Sequence, residues 1–281
     1  MRPNLKTKIF LDSGDPAETK EALDLLGFLD GQTTNPSLIA KNPQTAGKKF
    51  TKDELLDFYR GVVGQVSALI PGGSVSIEVY ANINTLAEEM LEQGRNFFQW
   101  IPNAHVKYPT TRAGLKAAEI SVKENMRVNM TLVFSQEQAA AVYAATKGAS
   151  KAQVFLSPFI GRLDDRGEKG MDLIKNIIEM YKSGDGHVEV LTASVRSVDD
   201  LVQAIVLGTD IATAPLGVLR AWSELGMPMS SDKLQMASHT LKPIPYETIS
   251  LDKPWQEYNI RHELTDKGLE KFVADWNALI G

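Results

Sequence analysis

The sequence predicts an eight-stranded (β/α)₈ barrel of the α/β class, and two observations lead to this prediction. Short apolar runs rich in β-branched residues recur along the chain, and helix-like segments alternate with them. This alternation indicates a parallel sheet, because parallel neighbours need a crossover and the crossover is usually a helix. Eight repeats close into a barrel better than they fit an open doubly wound sheet, which is the structural alternative. A glycine-rich phosphate loop does not follow the first strand, and this disfavours the open sheet.

The predicted strands are apolar runs bounded by turn residues, and the second of them is the weakest. In chain order they are KIFLDSG (8–14), GQTTNPS (31–37), SVSIEVY (74–80), NAHVKYP (103–109), RVNMTLVFS (127–135), AQVFLSPF (152–159), HVEVLTAS (187–194) and DIATAPLG (210–217).

Helix-like segments separate these strands, and capping residues mark several of their ends. PAETKEALDLLG has Pro16 in its first turn and Gly27 just past its end. After a polar linker to Gly47, a helix is predicted from about Thr51, which begins a T-x-x-E capping box, to Ile70. The later helical segments are INTLAEEMLEQGRNF, TRAGLKAAEISVKE, SQEQAAAVYAATKG with Ser135 as its cap, MDLIKNIIEMYKS after the polar loop GRLDDRGEKG, and SVDDLVQAIVLG.

The C-terminal part, from about 218 to 281, follows the predicted barrel of residues 8–217 and has helical character. Pro243, Pro245 and Pro254 predict a loop there. The segment KGLEKFVADWNALIG carries apolar residues at helical spacing, which indicates packing rather than chemistry. At 281 residues, the whole chain is predicted to form one domain.

Composition excludes several classes of protein. The net charge of -5 argues against nucleic acid or an anionic membrane as the main partner. The chain has no cysteine, so disulfides, thiol catalysis and cysteine-ligated metals are ruled out. Apolar runs are too short for a signal peptide or a membrane span. We therefore expect a cytoplasmic protein with a small-molecule substrate, and leave open whether it forms a homo-oligomer.

Polar residues occur at the predicted strand ends, where barrels of this kind gather their functional groups. They are Asp12, Thr33, Thr34, Asn35, Glu78, Lys107, Asn129, Thr131, Ser157, Ser194 and Arg196. Any one of them alone is more simply explained by a hydrogen bond to a neighbouring loop. An amine, two carboxylates and several hydroxyls that converge on one mouth indicate a site.

Lys107, in the stretch HVKYPTT, is the sharpest candidate. An unpaired ammonium inside a barrel is costly, and this environment favours the neutral amine, which can attack a carbonyl. The alternative is that the strand ends one residue earlier and that Lys107 lies in solvent. His105 and Lys107 fall on the same face of the strand, so alternation does not decide between the two.

Metal and serine-hydrolase chemistry find no support in the motifs. The four histidines, at 105, 187, 239 and 262, show no i, i+3 or i, i+4 pairing, and no His-Glu-x-x-His segment occurs. A Gly-x-Ser-x-Gly nucleophile elbow is absent too. We expect neither a metal nor a cofactor.

Several segments, in order, resemble the transaldolase family: IFLDSGD, DGQTTNPSLIAK, VSIEVYA, HVKYPTTRAGLKAAE, VNMTLVFSQEQA, FLSPFIGRLDD and VLTASVRS. HELTDKGLEKFVADW resembles its common tail, so the similarity extends from about residue 8 to residue 277. TTNPSL, NMTLVFS and SPFIGRLDD together are highly specific. The resemblance implies a (β/α)₈ barrel and metal-free class I aldol chemistry, with a Schiff-base lysine on the fourth strand, where Lys107 occurs.

The resemblance also implies roles for individual residues. Lys107 forms an imine with the C2 ketone of a ketose phosphate, and Asp12 takes the proton of the C4 hydroxyl as the C3–C4 bond breaks. Glu78 and Thr131 hold a proton-shuttling water. The residues implied to bind the sugar are Thr33, Asn35, Asn129, Ser157 and Phe159, and those implied to clamp the phosphate are Arg162, Ser194 and Arg196.

Two activities within this family compete, a transaldolase and a fructose-6-phosphate aldolase. The aldolase branch tends to carry Gln at the position of Glu78 and Tyr at the position of Phe159, and both positions here follow the transferase. Tyr108 departs from the aliphatic residue expected after the lysine, although alternation directs its side chain towards the helices.

Part of this pattern is also compatible with a different substrate or a different class of protein. A transaldolase for a sulfonated ketose would keep the lysine, and the two arginines would bind either anion. A non-catalytic sugar-phosphate binder is disfavoured, because Lys107 and Asp12 are both present. A structural protein is disfavoured because it would not need five or more polar groups at strand ends.

Overall fold

Eight parallel strands close into a barrel in the computed structural model, which describes residues 3–230 and 241–281. The strands, each paired with its chain neighbours, are β1 (Lys8–Asp12), β2 (Gly31–Thr33), β3 (Ser74–Glu78), β4 (Ala104–Pro109), β5 (Val128–Val133), β6 (Val154–Pro158), β7 (Val188–Thr192) and β8 (Ile211–Ala214). The last strand pairs with the first, Ile211 opposite Lys8, which closes the sheet. The predicted (β/α)₈ barrel is confirmed, and the open sheet is excluded.

Helices surround the barrel and connect its strands. In the described part of the chain they are α1 (Pro16–Leu26), α2 (Pro36–Ala40), α3 (Lys52–Leu69), α4 (Ala87–Phe98), α5 (Arg112–Lys123), α6 (Gln136–Ala145), α7 (Ile160–Asp164), α8 (Gly170–Tyr181), α9 (Val198–Leu207), α10 (Leu216–Glu224) and α11 (Glu263–Asn277). None of these helices is long and apolar enough to cross a membrane.

The predicted residues at helix ends, Pro16, Gly27, Thr51 and Ser135, have the expected roles, and the structure adds Asp15. Asp15 caps α1, Pro16 is its first residue, and Gly27 follows it with a left-handed φ of 74°. Thr51 caps α3 in a capping box with Glu54. Ser135 caps α6 by accepting a hydrogen bond from the backbone N–H of Gln138. These local hydrogen bonds explain why the sequence pattern located the helix starts well.

Two short helices replace segments predicted as strand, linker or loop. The second strand ends at Thr33 rather than at Ser37, because Asn35 caps α2 with its Oδ1 and Pro36 occupies the first helical position. The segment predicted as the polar loop GRLDDRGEKG lies partly in α7. Both helices have five residues, which is too short for an apolar period to be recognised.

Other predicted boundaries also shift. Helix α4 begins at Ala87 instead of Ile83, since the Leu86 N–H is capped by Glu89 Oε2 at 2.7 Å. The predicted eighth strand, 210–217, ends at Ala214, because Pro215 caps α10. Every strand except β4 is shorter by two or more residues than its predicted run, because residues at the ends of the run lie outside the ladder.

The C-terminal segment crosses the mouth of the same chain's barrel. Pro243, Pro245 and Pro254 lie in a connection outside the helices and strands, in agreement with the predicted loop. It leads to α11, which packs against α2 and the end of β5. Phe272 on α11 borders the cavity at the mouth. His239, one of the four histidines of the chain, lies outside the described residues.

Candidate active site

Lys107 points into the barrel near the C-terminal end of β4. Its side chain is 3% exposed. Its Nζ lies 2.9 Å from Glu78 Oε2 and donates a hydrogen bond to the backbone oxygen of Thr34 at 3.0 Å. The alternative in which Lys107 lies in solvent is therefore wrong. The strand pattern by itself indicates an unpaired Lys107 ammonium. In the structure, this ammonium is paired with the Glu78 carboxylate.

The parallel register brings Glu78 and Lys107 together. Glu78 on β3 is directly opposite Lys107 on β4, and Lys107 is opposite Asn129 on β5. Burial raises the pKa of Glu78, although the Lys107 ammonium opposes this shift. Glu78 Oε2 is close enough to Lys107 for an ion pair but has no aligned hydrogen-bond donor, and Thr131 Oγ1 has no partner among the described residues.

Asp12 ends β1 and lines the same cavity as Lys107. Thr33 Oγ1 donates a hydrogen bond to its Oδ1 at 2.6 Å, and Thr213 in turn donates to Thr33 at 2.7 Å. The Asp12 carboxylate is partly exposed to the cavity, but burial by the surrounding protein raises its pKa, and the nearby Lys107 ammonium only partly offsets this. Both carboxyl groups next to Lys107 therefore hold protons more tightly than an exposed carboxylate does.

A polar network of amides and hydroxyls lies beneath the cavity. Ser157 Oγ donates to Asn129 Oδ1 at 2.7 Å, and Asn129 Nδ2 donates to Ser76 Oγ at 3.0 Å. Asn35 uses its Oδ1 to cap α2, which leaves its amide nitrogen as the group available to a ligand. Thr34, also a candidate from its strand end, turns its hydroxyl to Tyr59 and only its carbonyl to Lys107.

These groups border one cavity of about 260 Å³ at the C-terminal end of the barrel. Eight of the residues predicted from the sequence line it: Asp12, Thr33, Asn35, Lys107, Ser157, Phe159, Arg162 and Ser194. Glu78, Asn129 and Thr131 are buried next to these residues but are not part of the cavity wall. Six of the eight come from the strand-end prediction, whereas Phe159 and Arg162 were implied by the family resemblance.

The two predicted arginines have different surroundings. Arg162 on α7 is half-buried, and burial lowers its pKa, while the nearby Glu78 carboxylate opposes the shift. Arg196 is exposed and forms a bidentate ion pair with Asp165, with Nη2 2.6 Å from Oδ2. Ser194 has a left-handed φ of 59°, and its carbonyl accepts a hydrogen bond from Gly161 N–H at 3.2 Å. Arg162 borders the cavity directly, whereas Arg196 is not part of the cavity wall.

Several residues of the cavity wall were not predicted from the sequence. Those from α2 and α11 are Ser37, Leu38, Lys41, Lys271, Phe272 and Asp275. Two more, Ala193 and Thr213, follow or lie on strands. Thr213 is a polar residue inside an otherwise apolar strand, so the rule applied to the other strand ends could have found it. The α11 residues carry no such signal, because their helix pattern indicates only packing.

Comparison with known proteins assigns a family to this arrangement. Residues 9–281 match the family model described as transaldolase/fructose-6-phosphate aldolase. The chain is 36% identical over 272 residues to a probable transaldolase of Dehalococcoides mccartyi, an alignment that covers 97% of this chain and 99% of that protein. It is 38% identical over 269 residues to a probable transaldolase of Dinoroseobacter shibae, covering 96% of each.

A solved structure with low sequence identity shares the fold alone. It is a putative mandelate racemase/muconate lactonizing enzyme from Labrenzia alexandrii, with a TM-score of 0.50 and 12% identity. The alignment covers 75% of this chain and 54% of that one. This similarity supports the barrel and says nothing about chemistry.

Proposed function

The chain belongs to the transaldolase/fructose-6-phosphate aldolase family, and on this premise we propose that it is a transaldolase of the pentose phosphate pathway. In this proposal it moves a dihydroxyacetone unit from a ketose phosphate, such as fructose 6-phosphate or sedoheptulose 7-phosphate, to an aldose phosphate. Membership of the family makes it an aldolase-type enzyme. The choice of transfer over simple cleavage, and of these substrates, is the proposal.

The observation that carries the proposal is the buried Lys107 amine beside a carboxylate at the wall of the cavity. Nζ attacks the C2 carbonyl of the donor as a neutral amine, after its proton has passed to Glu78, 2.9 Å away. Burial raises the pKa of Glu78, and a more basic carboxylate is the better proton acceptor. Loss of water from the carbinolamine then gives a protonated imine.

Two buried oxygens without a hydrogen-bond partner, one on Glu78 and one on Thr131, support a role of these residues in proton transfer. A buried oxygen without a hydrogen-bond partner is costly unless a ligand or a water satisfies it. In the proposed mechanism, Glu78 Oε2 and Thr131 Oγ1 hold the water that carries protons while the carbinolamine forms and dehydrates.

Asp12 is the proposed acid–base group for carbon–carbon cleavage. It takes the proton of the C4 hydroxyl while the electrons of the C3–C4 bond move into the imine and form an enamine on Lys107. The aldose phosphate then leaves. The enamine carbon attacks the acceptor aldehyde, and Asp12 returns the proton to the new hydroxyl. The raised pKa of Asp12 suits a group that must both accept and donate a proton.

Two positions support transfer rather than release to water. Glu78 and Phe159 carry the residues that the transferase branch has, and the Phe159 ring borders the cavity without offering a hydrogen-bond donor. The alternative is a fructose-6-phosphate aldolase, in which a tyrosine hydroxyl at this position would help to orient water. A sulfonated ketose is a second alternative donor, because a guanidinium binds either anion.

Borohydride trapping tests the mechanism. With fructose 6-phosphate present, we expect reduction to fix a three-carbon adduct on the peptide that contains Lys107, as read by mass spectrometry. A Lys123→Met variant, changed at an exposed lysine, is the matched control and should give the same adduct. An adduct on another lysine, or none, would refute the assignment of Lys107.

A second assay separates transfer from cleavage. Release of glyceraldehyde 3-phosphate is followed with and without erythrose 4-phosphate. We expect sustained turnover only when this acceptor is present. Equal turnover without it would assign the aldolase activity instead, and preference for a sulfonated donor would reassign the substrate.

A further inference from the structure

Arg162 borders the cavity and, among the described residues, forms no ion pair with a carboxylate. In the part of the chain that the structure describes, no carboxylate lies within ion-pair distance of its guanidinium, in contrast to Arg196, which Asp165 already holds. Its guanidinium carbon lies 5.5 Å from the ring centre of Phe159 and 5.8 Å from that of Phe272. Two aromatic rings thus fix the plane of a guanidinium whose N–H groups remain available to an anion.

Helix α11 supplies one of these rings and also makes the space that Arg162 occupies. A Cβ on Gly268 would lie 2.7 Å from Arg162 Nη1 and 2.6 Å from Leu132 Cδ2, closer than non-bonded atoms approach. Both neighbours are the ends of flexible side chains, so a methyl group would displace them without moving backbone. The absence of a side chain at Gly268 therefore sets where the guanidinium can lie.

Hydrogen bonds tie the first turn of α11 to the barrel, so this spacing does not depend on a loose helix. Thr265 Oγ1 donates to the backbone oxygen of Leu132 at 2.9 Å. Gln138 Nε2 donates to Thr265 Oγ1 at 2.9 Å and to the Ile260 carbonyl at 3.0 Å. Leu132 has a φ of 59° at a register shift of β5, and the same residue packs against Gly268.

The far end of the helix is also held. Ser37 on α2 donates a hydrogen bond to Asp275, and Lys271 pairs with the same carboxylate at 2.6 Å. The Phe50 N–H donates to the Leu279 carbonyl at 2.9 Å, just past the helix end. Helix α11 is thus fixed at both ends across the mouth of the barrel.

We propose that α11 is the positioning element for the anionic end of the substrate, through Gly268 and Phe272 acting on Arg162. This inference rests on the proposed function for the ligand, a sugar that carries a phosphate or a similar oxyanion. Arg162 contacts the anion, whereas Gly268 and Phe272 act through Arg162. Helix α11 therefore affects the affinity for the charged end of the substrate and leaves the chemistry at Lys107 unchanged.

The test compares Gly268→Ala with Ala274→Leu, which adds volume on an exposed face of the same helix. For Gly268→Ala we expect the KM for fructose 6-phosphate to rise about tenfold or more, with kcat within about threefold of wild type. Borohydride trapping of uncharged dihydroxyacetone on Lys107 should stay at the wild-type level. Ala274→Leu should match wild type in both measurements.

Phe272→Leu is the second variant, because it removes the ring while it keeps an apolar side chain of similar size. We expect it to raise the KM for fructose 6-phosphate in the same direction but by less, since Gly268 still leaves room for the guanidinium. Inorganic phosphate gives a readout that needs no catalysis: it should raise the melting temperature of wild type and Ala274→Leu more than that of Gly268→Ala.

Two results would overturn the positioning role. One is a wild-type KM and phosphate response in Gly268→Ala. The other is an equal loss with fructose 6-phosphate and with dihydroxyacetone, since a general structural defect does not distinguish charged from uncharged substrates. Failure of the proposed function looks different: wild type itself would give no adduct on Lys107 with either substrate, while phosphate would still raise the melting temperature of wild type more than that of Gly268→Ala.

Discussion

His105 and Lys107 are two residues apart on β4, point to the same side of the sheet and are both buried in the barrel, yet their surroundings differ. His105 lies towards the N-terminal end, where its ring stacks on Phe155 with centres 3.9 Å apart. Lys107 lies towards the C-terminal end, beside a second buried charge. The two positions show how one strand can carry a structural and a chemical residue in succession.

The histidine has every polar atom satisfied. Nε2 lies 3.0 Å from the Ala152 carbonyl, which can only accept, so Nε2 carries the proton and Nδ1 accepts from the Ser74 hydroxyl at 2.7 Å. Burial lowers the pKa of His105 to about 3, and the Ala152 hydrogen bond only partly opposes the shift. His105 is therefore a neutral packing residue at neutral pH.

Around Lys107, by contrast, some buried polar atoms lack hydrogen-bond partners. Glu78 Oε2 and Thr131 Oγ1 have no hydrogen-bond partner in the described part of the chain, and the pKa of Glu78 and that of Asp12 are both raised by burial. Buried polar groups are costly when unpaired, and folded proteins tend to keep them where a ligand or a reaction uses them. The contrast indicates that buried polar atoms without hydrogen-bond partners, rather than burial alone, distinguish the surroundings of Lys107 from those of His105.

Removing the Lys107 amine is the strongest test of the difference between the two residues. Lys107→Met should lower kcat by at least about 10⁴-fold, since a methionine cannot form the imine. The change also leaves the Glu78 carboxylate buried without its cation, so some loss of stability is expected. Steady-state rates and chemical unfolding measure both effects. Retention of more than a few per cent of the activity would contradict the role of Lys107.

Glu78→Gln tests the carboxylate with almost no change of shape. We expect kcat to fall about 10²-fold, because the amide cannot take the proton from Lys107. In wild type, the acid limb of the pH–rate profile should lie above the ordinary range of a glutamate, as burial raises the pKa of Glu78. In the variant this limb should change, because Asp12 is then the only one of the two carboxyl groups that titrates. Glu119→Gln, at a partly buried glutamate of α5 that pairs with Lys116 and Lys123, is the control. An unchanged acid limb would exclude Glu78 as the titrating group.

His105→Gln tests the structural role of His105. The folded pKa of about 3 lies below the unfolded value of 6.5, so the unfolded state binds the proton first as pH falls. Wild type should therefore lose stability on the order of 4 kcal/mol from this group between about pH 6.5 and pH 3. The variant, about 1–3 kcal/mol less stable at neutral pH, should lack this component.

Urea midpoints of wild type and His105→Gln at pH 7.5 and at pH 4.5 measure the difference. The variant should lose less stability between the two pH values, and its kcat/KM at neutral pH should stay within about threefold of wild type. Parallel losses in the two proteins would show that His105 does not carry the pH dependence.

Tyr108→Phe has the smallest expected effect. It tests whether the side chain of Tyr108 points away from the barrel interior and takes no part in the reaction. Tyr108 lies between Lys107 and the next inward residue, and its hydroxyl reaches Ser121 on α5 at 3.0 Å in the helix layer. Removing this hydrogen bond should cost about 1 kcal/mol and leave kcat and KM within about twofold of wild type. Thermal unfolding and steady-state kinetics measure both. A large change in donor preference would instead give Tyr108 a part in substrate recognition.

Much of the site could be predicted because it depends on local rules. Alternation along a strand decides which side chains share a face, and parallel strands bring their C-terminal ends to one edge. Asp12, Glu78, Lys107 and Thr131 were found in this way, from four different strands. The fold class and the family are confirmed, whereas the roles of the individual residues stay predictions that these experiments address.

The sequence alone determined the barrel, most helix caps and the polar strand ends, because periodicity and capping are properties of neighbouring residues. Only the tertiary structure decided that Lys107 faces Glu78 inside the barrel. It also decided that Arg196 pairs with Asp165, while Arg162 has no carboxylate partner among the described residues. Finally, it placed α11 across the mouth of the same chain's barrel. These contacts join segments far apart in the chain. Their distances depend on how whole elements pack, and no local pattern records that packing.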